Sequence, residues 1–311
     1  MSQAQSKAYT AGNFELLIDD EGKQSASYLK TVDGGFISAA IIDEPVGAAI
    51  HRVKHTSVAS IEPFSVEFGL QGSMSVLKWI QSSWNRSFSR RNGQITHADF
   101  NLNQTFIHEF SDALIMETTF PALDGGSKDP AMLKMKFQPE RVSTQTQPGG
   151  TINDKNVPSK QKSWLCSGFR LNIDNVANTQ YVNKIESFTI KQGVKAFYTG
   201  TDRFPQIEPT KIDFPNIVGT IAQGYGDGMQ AWYEQCVANG IADPKSVKQG
   251  SLEMLAPDKS TVLFRLTLKD CGLLSYKLNQ STANSGDIKR ARFEMYVSEM
   301  AIDGSGSLAR G

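Results

Sequence analysis

His51 and His55, in "HRVKH", stand four residues apart. On a helix that spacing would turn both imidazoles to one side as a pair of zinc ligands, but the Glu that such helices carry directly after the first His is here Arg52. Pro45, Gly47 and the β-branched neighbours instead predict extended chain, in which the two side chains share a face roughly 13 Å apart. His97 and His108 fall in neighbouring predicted strands and can approach one another, with Glu109 on the opposite face, so a solvated or lumen-facing pair is expected. "GYGDGM" (224–229) precedes a predicted helix, whose N-terminal amides can hold anions. It lacks the Lys-Ser/Thr of a phosphate-binding loop, and reads as a turn. Cys166, Cys236 and Cys271 are widely spaced and read as bystander thiols. With no Gly-x-Ser-x-Gly elbow and no paired carboxylates, the sequence nominates no catalytic, metal or cofactor-binding residue, and an enzyme is not expected.

Composition narrows the remaining classes. The chain has 311 residues, long enough for two domains, and its 32 Lys and Arg balance 32 Asp and Glu. No global positive field is available to recruit nucleic acid or an anionic membrane. The opening "MSQAQSKAYTAG" has no signal-peptide pattern and no apolar run is long enough to span a bilayer, so folding in the cytosol is expected.

The elements that would position any site come in two sets. "GNFELLID" (12–19) matches "SGFRLNID" (167–174), "FISAAI" (36–41) loosely matches "IESFTI" (185–190), and "IEPFSVEFGL" (61–70) matches "IEPTKIDFPN" (207–216). In the last pair Val66 and Phe68 flank Glu67 as Ile212 and Phe214 flank Asp213, a period of two that puts the apolar pair on one strand face. "SMSVLKWIQSSW" (73–84) and "GMQAWYEQCVAN" (228–239) each predict one short amphipathic helix, with Ser73 and Asp227 as candidate caps. Trp79, Trp84, Trp232 and Tyr233 are expected to pack these helices onto strands.

Alternating strands follow each helix: "QITHADF", "QTFIHEF", "ALIMETTF" and "MLKMKFQ", then "GSLEML", "TVLFRLTL", "GLLSYKL" and "ARFEMYV", with turns at "FSDA" (110–113) and "LKDC" (268–271). The chain therefore reads as mainly β: a first domain (1–142), a flexible linker (143–165) rich in polar residues, Gly and Pro, a second domain (166–303) and a flexible tail (304–311).

The segment "FSDALIMETTFPALDGGSKDPAMLKMKFQPERV" (110–142), with the "LKWI" helix and the "FELLID" strand before it, resembles the tail tube proteins of contractile phages and related injection systems. The second half resembles them more weakly, through "FRLNID", "IKQGV", "MQAWYEQCV" and "GDIKRARFEMYVSEM". The resemblance implies β-sandwich or barrel domains, each with one short helix, whose strands complete a large β-barrel on oligomerisation. Six domains make a ring in that family, so two in tandem imply a trimeric, pseudo-hexameric ring that stacks into a hollow conduit for DNA or effectors. The alternatives are a baseplate initiator or hub adaptor ring between a threefold spike and a sixfold tube, or a tandem β-sandwich module binding carbohydrate or a receptor.

Implied partners are further copies of the chain, tail sheath and baseplate hub or spike proteins, and cargo held without sequence-specific binding. Implied location is a particle assembled in the bacterial cytoplasm. By resemblance the inter-ring loops fall at 43–60 and 193–206, which nominates Asp43, Glu44, His51, Arg52, Lys54, His55, Lys195 and Arg203. Strand faces that would join subunits nominate Phe106, His108, Phe110, Phe264, Leu266, Phe293 and Met295. The basic patch "SFSRRNG" (87–93) after the first helix nominates Trp84, Arg90 and Arg91 for an outer face.

Overall fold

The computed structural model describes residues 12–20, 23–45, 47, 52–69, 74–146, 148–152, 164–200, 202–238, 247–280 and 288–303. The first half runs β1 (Asn13–Asp20), β2 (Lys23–Asp33), β3 (Ile37–Pro45), β4 (Arg52–Ile61), β5 (Phe64–Gly69), α1 (Met74–Trp84), β6 (Arg91–Ala98), β7 (Gln104–Phe120), β8 (Leu123–Asp124), β9 (Met132–Gln138) and β10 (Arg141–Thr146). The second runs β11 (Phe169–Ile173), β12 (Val182–Ile185), β13 (Phe188–Phe197), β14 (Gln206–Asp213), β15 (Ile217–Ala222), α2 (Asp227–Tyr233), β16 (Lys248–Leu255), β17 (Val262–Leu278) and β18 (Arg290–Asp303). A π-helical turn, Glu234–Ala238, continues α2. Gly226, not Asp227, holds the cap position of α2, and Ser73 lies outside the described residues.

Strands β1, β2, β5, β9, β7 and β6 pair antiparallel in that circular order and close into a six-stranded barrel. Alternation supplies its core. Leu16 and Ile18 from β1, Phe64, Val66 and Phe68 from β5, and Leu133, Met135 and Phe137 from β9 are all fully buried. Helix α1 adds Trp79 and Ile80, and the Trp79 indole N–H donates to the Ser89 carbonyl at 2.9 Å. Each such side chain contributes about 1.5–3 kcal/mol through burial.

The second half repeats this topology with its seam open. The order β11, β16, β17, β18, β15, β12 matches β1, β6, β7, β9, β5, β2 strand for strand, but β11 and β12 do not pair. Two residues join β1 to β2, whereas residues 174–181 separate β11 from β12 and coil into a 3₁₀ turn at Thr179–Tyr181. The Thr179 hydroxyl accepts the Ile173 amide there, at 3.2 Å, so the chain leaves the ladder early. The exposed edge of β12 takes up β8 from the first half instead, through Lys184↔Asp124 and Ile185↔Leu123.

The repeat extends to irregularities. β2 skips a residue against β5 between Leu29↔Phe68 and Thr31↔Glu67, and β12 does so against β15 between Val182↔Ile221 and Lys184↔Thr220. β7 and β17 each bulge at an Asp with positive φ, Asp112 (52°) and Asp270 (51°). The Asp112 amide donates to Asn92 Oδ1 at 2.9 Å, and the Asp270 amide to Gln249 Oε1 at 3.4 Å. "FSDA" and "LKDC" are therefore equivalent, as expected, but they are bulges within two 17-residue strands and not turns between four shorter ones. Asp tolerates this conformation and a β-branched residue does not. Asp112→Val is expected to cost about 1–2 kcal/mol in a urea titration and Asp112→Asn little; equal losses would contradict the strain argument.

Two expectations shift register. "IEPTKID" forms β14, the counterpart of β4, while the counterpart of β5 is β15, in which Ile217, Gly219 and Ile221 answer Phe64, Val66 and Phe68. Likewise Ile37 answers Ile190, not a residue of "IES". The two quoted phrases look alike because any half-buried strand alternates. The expected linker also begins too early: residues 141–146 are β10, bonded along β7, and Ile152 is buried with its amide on the Leu102 carbonyl at 2.8 Å. Residues 153–163 and 304–311 lie outside the described residues.

Candidate assembly interface

Hairpins β3–β4 and β13–β14 occupy equivalent places in the two repeats and have opposite surroundings. β13 adds itself to β7, pairing Phe188↔Phe120, Thr189↔Thr119, Ile190↔Thr118 and Lys191↔Glu117. The Phe120 and Phe188 rings stack at 4.9 Å and are buried, and the Thr119 and Thr189 hydroxyls meet at 2.9 Å. Helix α1 seals the joint. Trp84 packs against Phe120 and Phe214, Ser83 hydrogen-bonds Gln192, and Gln81 Nε2 donates to the Ile302 carbonyl at 3.0 Å. Arg90 pairs with Glu140 and donates to the Ile207 carbonyl (2.5 Å) and Glu208 (3.2 Å), while Arg141 pairs with Asp202 at 2.9 Å.

By contrast β3–β4 forms a two-stranded sheet of its own, and every residue of β3 is exposed. Its apolar content is high for such a setting: Phe36 just before it, then Ile37, Ile41, Ile42 and Val53. An isolated hairpin is marginally stable in water, and exposed apolar side chains grouped in this way are typical of interaction surfaces.

The nominated residues divide accordingly. Asp43, Glu44, Arg52, Lys54 and His55 lie exposed on the first hairpin, with Asp43 opposite Lys54 and His55 Nε2 3.3 Å from Glu44. Lys195 on β13 and Arg203 beyond it are exposed, and His51 lies outside the described residues. The nominated strand faces are a correction: His108, Phe110, Phe264, Leu266, Phe293 and Met295 are buried in the chain's own cores, and Phe106 is half-buried. An apolar strand face turns to the nearest core, so what remains for a neighbour is an edge. Trp84 is buried and Arg90 half-buried, and both hold the joint between repeats. Arg91 is half-buried at the start of β6.

His108 is buried and His97 half-buried, where a solvated or lumen-facing pair was expected. His97 and His108 lie 5.8 Å apart among Phe14, Phe36, Phe64 and Phe106. Burial, with His97 adding a like charge, pushes the His108 imidazole down to about 4. His108 Nδ1 and His97 Nε2 are buried without a hydrogen-bond partner among the described residues. Two of the three glycines of "GYGDGM", Gly226 and Gly228, have a packing reason. A Cβ on Gly226 would stand 2.1 Å from Tyr276 Oη, and one on Gly228 2.3 Å from the Ala177 carbonyl oxygen. Cys166 and Cys271 are buried, and burial with nearby Asp270 and Asp174 pushes the Cys271 thiol up to about 12. No group of His, Cys, Asp and Glu among the described residues is arranged to hold a metal ion, and none of the described helices is long and apolar enough to cross a membrane.

No family model and no curated protein matches the chain. Solved structures do. A chain of the sheath–tube complex of an extracellular contractile injection system in its extended state matches at 19% identity, over 47% of this chain and 99% of that one, with a TM-score of 0.40. A chain of the anti-feeding prophage baseplate matches at 13% identity, over 48% and 99%, with a TM-score of 0.41. Hcp1 from Flavobacterium johnsoniae matches at 16% identity, over 46% and 99%, with a TM-score of 0.29.

Proposed function

We propose that the chain is a structural subunit whose two tandem barrel domains assemble head to tail, three chains to a ring, in the inner tube of a contractile tail or injection particle. One observation carries the reading: the two repeats are already joined by adding a hairpin of one to a sheet edge of the other. A heterologous joint of this kind propagates until its rotation closes. Three chains give six domains, the number the tail-tube resemblance calls for. The exposed hairpin β3–β4 then serves contact between chains, not turnover, with sheath and baseplate components as outer partners.

Native mass measurement with negative-stain imaging across a concentration series tests this. Trimeric rings that stack into hollow tubes are expected. Single rings that never stack would move the role to an initiator or adaptor. A monomer at every concentration would overturn the ring and favour the tandem binding module, for which Tyr181 and Tyr225, stacked at 4.2 Å and both exposed, offer an aromatic platform.

A further inference from the structure

The joint between β7 and β13 has an unfilled counterpart at the far end of the chain. β17 reproduces β7 pair for pair. Ile115↔Phe137 followed by a skip to Glu117↔Lys136 is answered by Leu273↔Met295 followed by a skip to Ser275↔Glu294. Glu117, Thr118, Thr119 and Phe120 thus correspond to Ser275, Tyr276, Lys277 and Leu278. On β7 this stretch is bonded along both edges, to β9 and to β13. On β17 it is bonded, among the described residues, to β18 alone, because the pairing with β16 stops at Cys271.

β3 reproduces β13 in the same way. Ala39↔Ala59 then Ile41↔Thr56 in the first hairpin is answered by Gln192↔Ile212 then Val194↔Pro209 in the second. Ile37 and Ser38 therefore correspond to Ile190 and Lys191, the residues that engage β7. At the filled joint Phe120 and Ile190 are 1% and 2% exposed; their counterparts Leu278 and Ile37 are 60% and 48% exposed. The chain thus carries both halves of a second, topologically equivalent contact, at places where each is left uncovered.

We infer that β3 of one chain pairs antiparallel with the end of β17 in a second copy, Phe36 opposite Lys277, Ile37 opposite Tyr276 and Ser38 opposite Ser275. This rests on the ring reading and specifies its contact. Adding a strand to an open edge satisfies the backbone donors and acceptors of both partners and covers their apolar side chains. The joint between chains differs from the joint within one. Arg90, Glu140 and Glu208 clamp the internal joint, and the equivalent positions hold Val247, Ser298 and His55. The ionic clamp is not repeated, so contact between chains relies on the ladder and apolar burial and resists salt, while the covalently linked pair of repeats holds additionally through charge.

Disulfide trapping of the full chain tests the register. Ser38→Cys with Ser275→Cys changes two small polar side chains by one atom each, and mild oxidation is expected to convert most of the protein to covalent dimer and trimer on non-reducing gels. Either substitution alone is expected to give at least tenfold less. Native mass and imaging of the same samples separate the possible failures. Rings without cross-links in the double variant would overturn the register and leave the ring reading standing. Cross-linked open polymers longer than three chains would uphold the contact and overturn closure at three. A monomer that neither cross-links nor assembles would overturn both.

Discussion

Phe68→Asp is expected to leave the chain unfolded in vitro at neutral pH, as shown by loss of the cooperative urea transition and of near-ultraviolet dichroism. Phe68 has no solvent exposure, and its strand β5 lies between β2 and β9 in the closed barrel. Removing the ring alone, as in Phe68→Ala, costs about 3–5 kcal/mol through lost burial and the cavity left behind. A carboxylate at the same place adds the desolvation of a charge with no cation beside it, and the sum reaches the whole stability of an ordinary domain, about 5–15 kcal/mol. The counterpart Ile221→Asp should behave alike, since Ile221 is equally buried between β12 and β18. The open seam beside β12 gives the second repeat a weaker frame, so its transition is expected to be the first to broaden. Retention of a cooperative transition in Phe68→Asp would mean that β5 does not close the barrel.

Acid is expected to weaken the first barrel through His108, and His108→Phe to remove most of that effect. Protonation is resisted in the folded chain, where the imidazole titrates at about 4 against its ordinary 6.5. The unfolded chain takes up the proton first as pH falls. Stability is therefore full above the ordinary value, declines from there to about pH 4, and levels off once the folded imidazole titrates too. At about 1.4 kcal/mol per pH unit the loss is roughly 3 kcal/mol. His97 is lowered by burial as well and acts in the same direction. Phenylalanine suits a site made by Phe36, Phe64 and Phe106 and leaves no buried nitrogen without a partner at that position. The variant is expected to match or exceed the wild-type urea midpoint at pH 7 and to exceed it clearly at pH 5. Parallel pH profiles for the two proteins would show that His108 does not carry the linkage.

The position of that histidine pair shows where local reading stops. Their approach follows from adjacent strands, and Glu109 does face away, accepting hydrogen bonds from Ser143 and Gln145. The burial of His108 does not follow, because the rings of Phe36 and Phe64 reach it from other elements of the barrel. Arg90 is a similar case. A run of two arginines after a helix reads as a solvated patch until β14 brings Glu208 and the Ile207 carbonyl to it.

The amino-acid sequence by itself determined the β class, the duplication, the position of both helices and the equivalence of Asp112 with Asp270. Each of these is written in period-two or helical alternation, or in the kind of residue that a special backbone conformation tolerates. The tertiary structure alone decided which edges are joined: the closed seam of the first barrel, the open seam of the second, β8 lent to β12, and β13 lent to β7. Alternation records which face of a strand turns to a core. A ladder is made by backbone amides and carbonyls that are nearly the same at every residue, so the choice of partner edge is settled only when loops, bulges and competing strands are placed together.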